Sequence, residues 1–120
     1  MALNAASGAP SYLYEITHGF NPALGATHSI DSAYLFGNFD VFNFTPGFIE
    51  LEIRDSMRSA WSSLAHDPRM APVIVEEMGV TQTWPVYEPA TAAYAHFGVP
   101  VYSGVGHRGA RCAAVRAVFN

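Results

Sequence analysis

Five histidines, at positions 18, 28, 66, 96 and 107, are the side chains of this sequence best suited to moving protons near neutral pH. Their separations of 10, 38, 30 and 11 residues match no local metal-ligand spacing, so neither a metal nor any other cofactor is expected. His28 and Asp31 stand one helical turn apart, a pair that alone specifies no chemistry. His66 falls near the end of a helical pattern, where a cation complements the helix dipole and needs no further role. No Gly-x-Ser-x-Gly nucleophile elbow occurs: Ser7-Gly8 and Ser103-Gly104 lack the glycine two positions before the serine. Cys112 is the only cysteine, which excludes a disulfide within the chain. Taken one at a time, each histidine reads more readily as a structural residue than as a catalytic one.

The elements that would position these groups follow from periodicity. Ser11 to His18 is rich in aromatic and β-branched types and predicts a mostly buried strand, broken by Gly19, Asn21, Pro22 and Gly25. Residues 19–27 are therefore a loop that delivers His28 shortly after a strand's end, where α/β folds gather their catalytic groups. Asp31 to Phe36 predicts a brief helical turn stopped by Gly37 and Asn38, and Phe39, Phe42, Phe44 and Phe48 form an aromatic cluster. The strongest helix spans Pro46 to His66, with Ile53, Met57, Ala60, Trp61 and Leu64 on one apolar stripe. Thr45-Pro46 reads as its cap and first turn, and Asp67-Pro68 as its end. Beyond it come a short helix within Arg69 to Gly79 and an irregular segment from Thr81 to Pro89. A short strand at Ala92 to Phe97 follows, then a final amphipathic helix carrying Cys112, Val115, Val118 and Phe119.

Bulk properties bound the answer. A chain of 120 residues forms one small domain at most. Half its residues are hydrophobic and only 13% are charged, with no lysine, against about 25% charged in ordinary soluble proteins. So apolar a chain is expected to cover part of itself with further polypeptide. The net charge of −4 and scattered arginines argue against a nucleic-acid partner. No run of about 18 apolar residues predicts a membrane span, and Met1 to Pro10 has no signal-peptide pattern.

Four blocks, in order along the chain, carry a resemblance. They are Tyr12-Leu13-Tyr14, then the stretch from Gly25-Ala26-Thr27-His28 through Asp31 and Tyr34 to Phe36-Gly37, then the helix from Asp55 to Asp67-Pro68 with Met57 and Trp61, and finally Trp84-Pro85-Val86-Tyr87. This series resembles the C-terminal end of type-B carboxylesterases, of the carboxylesterase/lipase family. The tail around Cys112 is similar to that family's last helix. The sequence departs from the pattern in three places. Ser29 stands where the family usually has glycine, Asp31 where glutamate is commoner, and Leu64-Ala65-His66 replaces the usual end of the helix.

The resemblance implies an α/β chain forming the C-terminal part, over residues 1–120, of an α/β-hydrolase fold. It implies one or two strands, a long helix, a terminal helix and an incomplete sheet. It also implies that His28 is the general base of a serine esterase. The imidazole would accept the serine proton during acylation and protonate the leaving alcohol, with water repeating the cycle in deacylation. Since the triad runs serine, acid, histidine in such enzymes, the nucleophile and acid are expected upstream, and a small carboxylic ester would bind mainly there. Asp31, Asp40 and Asp55 follow His28 too closely to be the triad acid, and Asp31 reads instead as a helix-start residue supporting the site. The alternative reading is a non-catalytic binding member of the same fold.

Overall fold

The computed structural model describes residues 8–76 and 79–119. In chain order they form β1 (Tyr14–Ile16), α1 (Ile30–Phe36), a 3-10 turn at Phe39–Phe42, α2 (Phe48–His66), β2 (Val73–Val75), β3 (Thr81–Thr83), β4 (Tyr94–Phe97), β5 (Tyr102–Gly104) and α3 (Gly109–Phe119). One sheet has the order β1-β4-β5, and β2 and β3 make a second, two-stranded sheet. β1 runs parallel to β4, with Tyr14 opposite Ala95 and Ile16 opposite Phe97, while β4 and β5 are antiparallel. The result is a mixed α/β assembly with more strands than the sequence suggests.

Side-chain alternation splits the three-stranded sheet into two unlike faces. Ala95 and Phe97 are fully buried, with Tyr14 and Ile16 packed beside them against α2, whereas Glu15, Thr17 and His96 share the opposite face and make polar contacts there. Tyr14, Trp61, Trp84 and Phe97 meet edge-on or tilted, with ring centroids 4.7 to 6.4 Å apart. That spacing and tilt suit ring quadrupoles. The Trp84 indole also donates a 2.8 Å hydrogen bond to the Leu13 carbonyl, fixing the entry to β1. A second aromatic group forms around Phe20, which touches Tyr34, Phe39, Phe42 and Phe44. Phe48 is outside it and 66% exposed, a correction to the expected cluster.

α2 buries Ile53, Met57 and Ala60, with Trp61 half-buried, so the apolar stripe is as its spacing predicts. The helix begins at Phe48 rather than Pro46, because Gly47 takes the cap position and its N–H donates to Glu50 Oε2 at 2.8 Å. It ends where proline demands, the Asp67 N–H closing the last turn on Ser63 O.

The expected helix within Arg69 to Gly79 is overturned: Val73–Val75 is a strand, paired with Thr81–Thr83. Glu77 and Met78 lie outside the described residues. Two causes act together. Consecutive β-branched residues favour extended backbone, and three serines of α2 supply the partners that a neighbouring strand would. Ser63 and Ser59 Oγ accept from Val73 N–H and Val75 N–H at 3.0 and 2.8 Å, and Ser56 Oγ donates to Val75 O at 2.9 Å. β3 also shortens the irregular segment expected from Thr81 to Pro89. The terminal helix is present as α3, and its described side chains are exposed; that of Phe119 lies outside the described residues.

These positions separate in a stability measurement. Met57→Ala, which empties a fully buried site, is expected to cost about 2–5 kcal/mol in urea unfolding. Phe48→Ala should stay within about 0.5 kcal/mol of the parent. Comparable losses at the two positions would contradict the exposure of Phe48.

Candidate functional site

β1 leads directly into the segment that carries His28. Thr17 N–H still donates to Phe97 O at 3.1 Å, after which the chain leaves the sheet. The loop then folds onto itself. A Cβ on Gly19 would stand 1.8 Å from the Gly25 carbonyl oxygen, so only glycine permits that approach. Leu24 N–H and Gly25 N–H both donate to Asn21 O at 3.0 Å, and Ala23 N–H donates to Asn21 Oδ1 at 2.9 Å. His28 sits on the turn that follows, just before α1. Its neighbour Ser29 has φ 64°, in the left-handed region. A residue with a Cβ is strained there by about 1–2 kcal/mol, so glycine would suit this position better than serine.

Two polar clamps hold the loop at its ends. At the entry, His18 Nε2 lies 2.7 Å from Glu50 Oε1 at the start of α2, and the Tyr34 hydroxyl donates to His18 O at 3.4 Å. At the exit, the Tyr14 hydroxyl donates to Asp31 Oδ2 at 2.7 Å, and Ser32 N–H donates to Asp31 Oδ1 at 2.9 Å. Asp31 is thus a helix-start residue that ties α1 to the strand before the loop. Burial, reinforced by the hydrogen bond to Asp31 and by its charge, pushes the Tyr14 phenol up to about 12. Burial and then the Glu50 charge also raise Tyr34, so both phenols stay protonated donors. Burial alone would raise the Glu50 carboxyl; the hydrogen bonds from His18 and from backbone N–H groups outweigh it and hold the group below its ordinary value.

Within this frame His28 is exposed and, among the described residues, has no hydrogen-bond or ion-pair partner. Its imidazole can therefore exchange a proton with a group brought from outside the chain. The other four histidines are differently placed. His18 is held by Glu50, and His96 bridges the Thr17 hydroxyl and the Pro100 carbonyl. His107 Nδ1 lies 3.6 Å from Glu15, its ring against Tyr94. His66 projects from the last turn of α2. The sequence carried no sign of the His18–Glu50 or Thr17–His96 contacts, since the partners lie on separate elements. Among the described residues, no three His, Cys, Asp or Glu side chains gather as a metal site would require. Grooves of about 190 and 630 Å³ run beside α2, and neither is lined by a histidine. No helix of the described residues is long and apolar enough to cross a membrane.

Two outcomes follow from this geometry. The Glu50 pKa is lower folded than unfolded, so its contribution to stability is complete above the ordinary value of 4.5 and is lost as pH falls through that value toward the folded one. Urea midpoints measured from pH 7 to 3 should fall less steeply for Glu50→Gln than for the parent; identical slopes would exclude the clamp. Ser29→Gly should relieve the left-handed strain and raise stability by about 1 kcal/mol, whereas Ser29→Ala should not.

Comparison with solved structures shows what the fold is similar to. The fold is similar to that of a carboxylesterase from Geobacillus stearothermophilus, with a TM-score of 0.68 and 25% sequence identity over 92% of this chain. The chain spans 22% of that enzyme's length. No protein-family model matches the sequence, and no curated protein does. The similarity supports a hydrolase-like fold region.

Proposed function

We propose that this chain is the C-terminal, histidine-bearing part of a serine carboxylic-ester hydrolase of the type-B class, with His28 as its general base. One observation carries the reading. His28 is exposed, has no partner among the described residues, and stands on a loop clamped at both ends by His18–Glu50 and Tyr14–Asp31. A catalytic base must be held in place and yet keep its nitrogens free for the reacting groups. The likeness to the Geobacillus enzyme supports the ester-hydrolase part of the reading.

In the proposed reaction a serine hydroxyl supplied by upstream polypeptide attacks the ester carbonyl, and His28 takes its proton. His28 then returns that proton to the departing alcohol, and a water molecule repeats both transfers to release the acid. A carboxylate from the same upstream part would orient the imidazole. This chain contributes the base, the turn that presents it and the clamps beneath that turn. Substrate choice would rest largely with the pocket built upstream, which makes a small carboxylic ester the expected partner.

The test joins this chain to the upstream part of the Geobacillus esterase in place of that enzyme's own segment. The chain alone should give no saturable hydrolysis of p-nitrophenyl butyrate. In the joined protein, His28→Ala should lower kcat by about a thousand- to a million-fold with little change in KM. His66→Ala should cost at most about 1 kcal/mol of stability and leave kcat nearly intact. A folded His28→Ala protein keeping more than about a tenth of the parent kcat would end the assignment.

A further inference from the structure

The polar face of the three-stranded sheet holds an arrangement that the proposed esterase role does not use. Thr17 Oγ1 lies 2.8 Å from His96 Nε2, and His96 Nδ1 lies 2.9 Å from the Pro100 carbonyl oxygen. A carbonyl can only accept, so Nδ1 carries the proton and donates to Pro100. Nε2 is then the bare nitrogen, and the Thr17 hydroxyl donates to it. The result is a hydroxyl, a base and an acceptor that orients the base, the sequence of contacts by which an alcohol is made nucleophilic.

Accessibility is divided between the members as that chemistry needs. Thr17 is exposed, whereas His96 is only 7% exposed and is covered by the Tyr102 ring, stacked at 4.4 Å. Gly98 keeps the contact open, since a Cβ there would stand 2.4 Å from Thr17 Oγ1 and 2.7 Å from His96 Cε1. Glu15 is the cross-strand neighbour of His96, and its carboxylate is engaged by Arg108 and His107 rather than by the imidazole of His96.

We infer that Thr17 is an acyl-acceptor site, activated by His96, that takes the acyl group of an activated carboxylic ester. Thr17 Oγ1 attacks the carbonyl carbon and passes its proton to His96 Nε2. The bond to the leaving oxygen breaks, and that oxygen leaves with the proton from Nε2. The products are a threonyl ester and a free alcohol or phenol. The threonyl alkoxide is a poorer leaving group than a phenoxide, so hydrolysis of the adduct is slow and the reaction is a single modification rather than turnover. The inference is independent of His28.

The probe is p-nitrophenyl acetate on the full chain, read by intact mass and by peptide mass spectrometry. The sequence contains no lysine, so side-chain amines do not compete. One acetyl group should appear on Thr17 about a hundredfold faster than on the exposed Thr81, the gain expected of a positioned general base. Thr17→Ser should label at least as readily, Thr17→Val should abolish the adduct, and His96→Gln should reduce Thr17 labelling to the Thr81 rate. His66→Gln should change nothing. Labelling of Thr17 no faster than Thr81 in the parent chain overturns the inference, and that comparison needs no variant to fold. So does a folded His96→Gln chain that labels Thr17 at the parent rate.

Discussion

The parallel pairing of β1 with β4 is the contact on which the rest of the structure depends. Tyr14–Ile16 and Tyr94–Phe97 are far apart in sequence and short, yet their register decides which side chains meet α2 and which face away. A parallel pair cannot be closed by a tight turn, so the intervening chain must cross over, and helices are the usual means. Here the crossover includes α1, α2 and the small β2-β3 sheet. A slip of β1 by one residue would turn Glu15 toward the aromatic core and Tyr14 and Ile16 away from it. The core therefore enforces the register, and the register in turn sets where β1 stops and the His28 loop begins.

Serines do much of the work that hydrophobic patterning cannot. Ser56, Ser59 and Ser63 lie along one side of α2 and bond the backbone of β2 directly. Those bonds give three backbone groups of β2 a partner on the helix, each such bond contributing about 1 kcal/mol. The same economy governs the loop base. Tyr14 and Tyr34 spend their rings on the two aromatic groups and their hydroxyls on Asp31 and His18 O. One residue thus serves both the packing beneath the loop and the polar anchoring of its ends.

What the sequence made legible was whatever repeats locally. The apolar stripe Ile53, Met57, Ala60 and Trp61, the stop at Asp67-Pro68, the Gly37 end of α1 and the strand before Phe97 all declare themselves through spacing or punctuation. β2 declared itself only weakly, through the β-branched run Val73-Ile74-Val75, because the rest of its identity as a strand depends on serines of α2 and on pairing with Thr81–Thr83. β5 went unseen for a similar reason: its pairing partner is β4, and Tyr102–Gly104 has no alternating pattern of its own. His28 stood out only through the ordered resemblance of its block and its neighbours. Its exposure, its lack of a partner among the described residues and the clamps around it are tertiary facts.

The central claim is that the clamped loop presents His28 to a serine from upstream polypeptide. A crystal structure of the joined esterase, its serine carrying a bound phosphonate, tests this directly. The account predicts a His28 ring nitrogen about 2.6–3.2 Å from the serine oxygen or the leaving-group oxygen, with the Tyr14–Asp31 and His18–Glu50 contacts kept as they are here. A His28 ring turned to solvent, with another histidine at that oxygen, would contradict it.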